Sequence, residues 1–560
     1  MATKWKKLLV VTLVIALLTA PMASVYASDA DNRIPLRAMV NELGGEIEWI
    51  ASERTIEFKI STGTYTYNID TDLLTRQGIS WPKPIDLSIE NGVTYVDFDF
   101  IQSILGLSGS IVEGTFASNS VDTTESQNLS PEWQELREKL KTYLVFEQWH
   151  QNFDGQVLVA VGDDILVHQA YGKSNLLTGL NATNEDTYSI GSITKQMTAY
   201  AIMKLESEGL LSFEDTIGKH LEDAPYGDEV TIHQLLTHTS GLPEYTDALF
   251  AGEPLADYDA IVAYVRSKPL NFKPGEEWMY CNSGYYLLGH IVTSLTGQSL
   301  DDYLEANVFE PLEMDMTGWA FKEDVPQMTT LGSVQGEVEQ TLIYDGILLS
   351  VAEGAGAVIS TAEDMYVWQK SLYGNTLLDD ESLALMVGIV ENTSVNPNYG
   401  YGVMNMETPY GVEFGHGGNT LGYTASSTYL PVLDTHIIIL SNRGYVNLNG
   451  IKNNIYTLLM GGEVSLEVTE TVDLPLEALE KFVGDYEIPE VLKIKMFVQD
   501  GKLMLQGEGQ PAVDLTPTSS VNFENKTYGI AIQYDDEINP TSFTLFQSGL
   551  SFEAIRQVAE

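Results

Sequence analysis

Cys281 is the only cysteine in a chain of 560 residues. No intrachain disulfide can staple any part of it, so each unit must be held by buried apolar surface alone, even in an oxidising compartment. A chain this long exceeds a single core, and its length predicts about three or four domains. Apolar residues make up 44% of it, enough to fill such cores and to exclude wholesale disorder.

The charge excludes some partners. Against 29 basic side chains stand 79 acidic ones, a formal charge of −50. Nucleic acid and anionic membrane surfaces are both excluded, because each is held by clustered Lys and Arg. Two readings of the excess stay open. One is a salty or alkaline extracellular setting, where salt screens the self-repulsion; the other is plain acidic drift in a secreted protein.

Residues 1–27 read as a signal peptide. Lys4, Lys6 and Lys7 form a basic start, Leu8 to Leu18 an apolar run, and Pro21 a break before Val25-Tyr26-Ala27. The run is short for a membrane span, and an uncleaved anchor is the alternative. Cleavage removes three positive charges, leaving −53 (−50 − 3). No other stretch is apolar enough to cross a bilayer.

Residues 31–107 form a small α+β module with a half-repeat. Ile34-Pro35-Leu36-Arg37 leads to Leu43-Gly44, and Val96-Asp97-Phe98-Asp99 leads to Leu105-Gly106 at the same spacing. Thr55 to Ile60 and Thr64 to Ile69 alternate as strands, and Asn91-Gly92 marks a hairpin. This pattern resembles the copper amine oxidase N-terminal domain, a stalk module of secreted bacterial proteins. The segment has no His and no Cys, so no copper is implied, and a role as a spacer or in cell-envelope contact is expected rather than chemistry.

Residues 108–130, rich in Ser, Thr, Gly and Asn, read as a flexible linker. Pro131 opens a helix towards Trp149, and residues 131–462 mix strands such as Gly155 to Ala160 with helices such as Thr198 to Glu208. The tail, 470–560, turns to short alternating strands around an Asp500-Gly501 hairpin and reads as a β-barrel or half-barrel.

The chemistry lies in the middle segment. In Tyr188-Ser189-Ile190-Gly191-Ser192-Ile193-Thr194-Lys195 a helix follows the serine. A serine hydroxyl needs a base within hydrogen-bond reach. At a helix start Ser192 meets unpaired N–H groups, and Lys195 lies one turn on along the same face. Tyr280-Cys281-Asn282 reads as an extended segment, with Tyr280 and Asn282 on one side and Cys281 packed away on the other. A Lys195 ammonium beside Tyr280 would favour its phenolate, the two titrating as a coupled pair. Asn282 can accept from the lysine and donate to a substrate carbonyl. In Glu413-Phe414-Gly415-His416-Gly417-Gly418-Asn419 the glycines, Gly418 among them, let backbone approach a ligand. The oxyanion hole would use the amides of Ser192 and Asn419.

Together these motifs resemble the serine β-lactamase and penicillin-binding fold, and more closely its class C β-lactamase, DD-carboxypeptidase and esterase group. Similar flanks include Leu235-Leu236-Thr237-His238-Thr239-Ser240-Gly241-Leu242, Gly354 to Asp364 and Tyr399-Gly400-Tyr401-Gly402. The resemblance covers roughly 150–460. It implies an α/β catalytic domain, Ser192 as nucleophile and Lys195 with Tyr280 as the proton-transfer pair. It also implies Asn282, His416, Gly418 and Asn419 as substrate-binding residues. The acyl donor would be a D-amino-acid peptide, a β-lactam or a small ester, with no cofactor and no metal. The expected location is secreted or envelope-associated, in a Gram-positive bacterium.

The third motif departs from the dedicated class C lactamases, which carry lysine where His416 stands. A fixed cation for a substrate carboxylate is missing, which favours peptidase or esterase chemistry over antibiotic hydrolysis. No dedicated deacylation glutamate stands out, so deacylation falls to Tyr280. His233, His238 and His290 read as packing residues. A non-catalytic surface receptor for wall peptides or β-lactams is the rival reading.

Overall fold

A computed structural model describes residues 33–118 with short breaks, and 125–319 apart from 152, 251, 252, 254 and 256. It then describes 329–338 apart from 335 and 336, 351–388, 398–466 apart from 421 and 445, and 471–557 with short breaks. The leader, 1–27, lies outside the described residues. Among them no helix is long and apolar enough to cross a membrane. Two compact units divide the chain, residues 1–74 with 84–120 in one and 75–83 with 121–560 in the other.

In the N-terminal unit Arg33–Pro35 pairs with Val93–Asp97, which pairs back on Ser88–Glu90 across the Asn91-Gly92 position. A helix, Leu36–Glu42, buries Leu36, Met39 and Val40 on one side, the i, i+3, i+4 stripe that an amphipathic helix turns inward. Five strands from Glu46–Ile50 to Ile79–Ser80 lie in sequence order, with Phe58 and Tyr65 stacked at 5.1 Å.

The linker expected over 108–130 is corrected at both ends. Gly109–Val112 and Thr115–Ser118 pair as a hairpin, because Ile111, Val112, Thr115 and Phe116 are strand formers flanking Gly114. At the other end Glu125 takes an ion pair from Lys141, 2.8 Å, and the Ser126 hydroxyl accepts from the Ile165 amide, 3.0 Å. Composition hid these contacts.

The segment 131–462 opens with α1 (Pro131–Gln151), β1 (Gly155–Val161) and β2 (Asp164–Tyr171). A two-residue strand β3 (Tyr188–Ser189) leads through a 3-10 turn to α2 (Thr194–Ser207). Then come α3 (Asn282–Thr296), β4 (Val358–Ser360) and α4 (Ala362–Tyr373). Strands β5 (Met404–Thr408), β6 (Gly411–Thr420), β7 (Tyr423–Leu430) and β8 (Thr435–Ser441) precede α5 (Leu448–Leu459). The main sheet runs β2-β1-β8-β7-β6-β5, each neighbouring pair antiparallel.

Strand β8 is buried along its whole length, so the sheet is covered on both faces. On one face α5 and α1 meet, with Asn454 bonded to Tyr143. Buried Lys452 and Tyr456 of α5 hold the buried Glu413 carboxylate of β6 there. On the other face α4 packs, Gln369 donating to Ser427 of β7 and Trp368 to Gln196 of α2. The apolar core is therefore continuous from sheet to α2 and α3.

The tail is a closed eight-stranded barrel, from Gly484–Ile488 to Leu550–Arg556. Phe482, Tyr486, Phe523, Tyr534 and Phe543 fill it. At the expected hairpin Asp500 and Gly501 take φ of 50° and 78°, the left-handed pair that a type I′ turn demands.

Candidate active site

Three segments meet at Ser192. The first is the turn leaving β3. The Ile190 amide donates to Val358 O at 3.1 Å, and Gly191 then takes φ of 51°. That conformation is cheap for glycine alone. A Cβ at Gly191 would stand 2.9 Å from Asn419 N. The chain then winds through Gly191–Ile193 into α2, leaving Ser192 half-buried at its start.

Lys195, one turn on, is wholly buried. Its Nζ donates to Ser192 Oγ at 3.1 Å, Asn282 Oδ1 at 2.8 Å and Ala355 O at 2.6 Å. Burial pushes its pKa from 10.5 down to about 7, against an upward pull from Glu244 and Cys281. The ammonium is disfavoured because the site takes it out of water.

The second segment carries Tyr280. The chain is extended only as far as Cys281, φ −144° and ψ 113°, and Asn282 is already the first residue of α3. The expected continuous extended stretch is corrected accordingly, because the Glu244 carboxylate takes the Asn282 amide and starts the helix. Asn282 still reaches Lys195. Cys281 is buried, its Sγ bonded to Leu242 O at 3.4 Å, and burial pushes the thiol up to about 12. It is no nucleophile at neutral pH.

Lys195 Nζ lies over the Tyr280 ring, 4.8 Å from its centroid, rather than against its oxygen. The Tyr280 hydroxyl faces Ser192 closely enough for that group to lower its proton affinity, but without the alignment of a formed hydrogen bond. Burial outweighs this and lifts the phenol above its usual range. The expected ammonium-stabilised phenolate is thus corrected for the free enzyme: the amine meets the ring face, and near pH 7 is itself about half neutral.

The third segment is the free end of β6. Strand β5 pairs only as far as Gly415, so His416 to Thr420 hold β7 on one side and leave the other edge to the Ser192 turn. A Cβ on Gly418 would lie 1.8 Å from Ile190 O and 3.3 Å from Ser192 N. Thr420 Oγ1 donates to Ser189 Oγ at 3.1 Å. The backbones of Ser192 and Asn419 therefore lie side by side, the juxtaposition an oxyanion hole needs. His416 is only 2% exposed, its Nε2 3.0 Å from the Tyr399 hydroxyl. Burial, then the nearby Lys195, push its pKa down to about 3, so the ring is neutral. The side chains open to solvent on this edge belong to other positions, Asn419 among them.

Of the packing histidines, His238 is buried with Nδ1 accepting from the Cys281 amide at 3.1 Å and its ring 4.3 Å from that of Tyr280. His233 pairs with the Tyr401 hydroxyl at 2.8 Å. His290 Nε2 is 3.0 Å from Glu353, an ion-pair distance without hydrogen-bond alignment. Among the described residues no cluster of His, Cys, Asp and Glu could hold a metal ion. Two contributors escaped the sequence reading. Ala355 O and Glu244 lie inside quoted or adjacent motifs, but nothing in their spacing points to Lys195.

Comparison with known proteins shows the family. The family model described as Beta-lactamase matches residues 145–461, more than half of the chain. The chain belongs to the beta-lactamase family. The model of the copper amine oxidase N-terminal domain matches residues 21–115. Penicillin-binding protein 4* of Bacillus subtilis is 28% identical over 458 residues, 76% of this chain and 99% of its own. The solved penicillin-binding protein homologue from Pyrococcus abyssi, described as octameric, is 26% identical. It has a TM-score of 0.52 over 75% of this chain and 99% of that one. A penicillin-binding protein from Bacillus halodurans is 25% identical, with a TM-score of 0.50 over 59% of this chain and all of its own. This beta-lactamase-family member is a serine hydrolase.

Proposed function

We propose that this enzyme transfers the acyl group of a small ester or a D-amino-acid peptide, and more slowly of a β-lactam, to Ser192 and then to water. One observation carries the reading: the set of partners around the buried Lys195 amine. A charged lysine donates three hydrogen bonds, and three acceptors surround it. Two of them, Ala355 O and Asn282 Oδ1, can only accept; the Thr246 hydroxyl 3.5 Å from Asn282 Nδ2 supports that amide orientation. When Lys195 is neutral its two protons stay on those carbonyls. Its lone pair is left facing Ser192, the one partner with a proton to give.

The steps then balance. Lys195 takes the Ser192 proton as Oγ attacks the acyl carbon, and the oxyanion sits between the amides of Ser192 and Asn419. Tyr280, protonated in the free enzyme, gives its proton to the leaving group, and its phenolate is formed beside the new Lys195 ammonium. In the second half a water gives its proton to that phenolate and attacks the ester. Ser192 leaves and recovers its proton from Lys195. Neutral His416 supplies no charge for a substrate carboxylate, which is why donors recognised through one are placed last.

The leader pattern and the stalk-module match support export, with wall contact through the N-terminal unit. Intact mass of the mature protein after brief exposure to a p-nitrophenyl ester or benzylpenicillin tests the reading, beside Ser192→Ala. Adduct or turnover in the wild type alone is expected, faster with the ester. Equal labelling of Ser192→Ala overturns it.

A further inference from the structure

Helix α3 starts without a capping side chain of its own: Cys281 at its N-cap position makes no such bond. The place is taken from outside by Glu244. One carboxylate oxygen accepts the Asn282 amide; the other accepts the Thr246 amide at 2.9 Å and its hydroxyl at 2.8 Å. The same strap is pinned to α3 by Ser283, whose hydroxyl donates to Pro243 O at 2.7 Å and accepts from the Tyr245 amide at 3.1 Å. Glu244 therefore fixes the backbone of the very residue whose side chain receives Lys195.

We propose that Glu244 is a positioning residue of the hydrolysis, holding Asn282 against Lys195 and keeping a fixed negative charge near the Lys195 ammonium, beside the transient Tyr280 phenolate that acylation creates.

The proposal rests on Lys195 as the base, and it follows from which other groups face that amine. The rings of Tyr280 and Tyr285 lie 4.8 and 5.6 Å from it, and both phenols are pushed up by burial. Cys281 is held as a thiol, and His238 and His416 as neutral imidazoles, again by burial. In the free enzyme at pH 7 none of these carries charge, and among the described residues the field that raises the proton affinity of Lys195 comes first from Glu244. Tyr245, Tyr280 and Cys281, raised first by burial, are raised further by its field. An ammonium generated in a site that excludes water is costly unless an opposite charge stands by. A carboxylate bonded at a helix N-terminus is itself kept in place by that helix.

The test is the pH profile of kcat/KM for a p-nitrophenyl ester, read at a wavelength where both forms of the phenol absorb equally, with thermal melting alongside. In wild-type enzyme the acid limb should fall near pH 7. Glu244→Gln keeps an acceptor and loses the charge, so the limb should move to lower pH by about half a unit or more, with a lower plateau. Should that variant fail to fold, Glu244→Asp carries the test. Its charge is withdrawn by one carbon, and the limb must move the same way by less. A limb that stays put while melting falls makes Glu244 a structural cap and overturns the proposal. A wild type with no limb near 7 refutes instead the assignment of Lys195 as base.

Discussion

Lys195→Met keeps the length of the side chain and deletes its titration, so it isolates what a buried amine costs the fold. An ordinary lysine titrates near 10.5, and this one near 7. Between those values the unfolded chain binds a proton that the folded chain refuses, so stability must rise with pH across that window. The penalty is fully present below the folded value and vanishes above the unfolded one. At about 1.4 kcal/mol per pKa unit it reaches about 5 kcal/mol at low pH. From pH 7 to pH 10 the wild type should gain about 3.5 kcal/mol more than the variant. At pH 7 alone the comparison is less direct, because Asn282 Oδ1 and Ala355 O lose a donor in the variant at about 1–3 kcal/mol each. That loss is nearly independent of pH and drops out of the slope. Urea unfolding followed by tryptophan emission reads the right domain: five of the eight tryptophans lie in 131–462 and none beyond 470. If the two proteins gain equally between the two pH values, the amine is not held near neutrality and the base assignment falls with it.

Two further outcomes follow from the same geometry. With a base near pH 7, kcat/KM for a neutral ester should rise about tenfold from pH 6 to pH 8 and then level, with no early basic limb because Tyr280 titrates high. Gly191→Ala must accept a left-handed backbone and a Cβ 2.9 Å from Asn419 N. Activity should drop by about 10²-fold or more, with lower melting, through displacement of the oxyanion pair; unchanged kcat would show that the Ser192 turn is not built this way.

Much of this site is written locally. Ser192 and Lys195 lie three apart, and one helical turn converts that spacing into a contact. The Asp500-Gly501 turn likewise announces its own hairpin. What stayed hidden is of two kinds. Ala355 meets Lys195 across 160 positions, and Glu244 meets Asn282 across 38, separations at which no period or spacing survives. The other kind is environmental. Whether Tyr280 carries its proton depends on how much water reaches it, and its neighbours in sequence say nothing of that. Residues 109–118 were misjudged for a related reason: composition counted their serines and glycines, while pairing follows Ile111, Val112, Thr115 and Phe116.

The centre of the main sheet has a consequence for the order in which such a chain folds. Strand β1 finds its partner in β8, and Ser441 closes onto Asp154 O across 287 positions. A strand made early must wait for one made late before either is covered. Such long closures slow folding and leave apolar strands exposed meanwhile. A polypeptide threaded through a secretion pore faces the opposite demand, since it must not fold too soon. With its sheet completed only by residues near the end of the domain, the export proposed above would find this hydrolase unfolded, and so transportable, until almost all of it has been threaded.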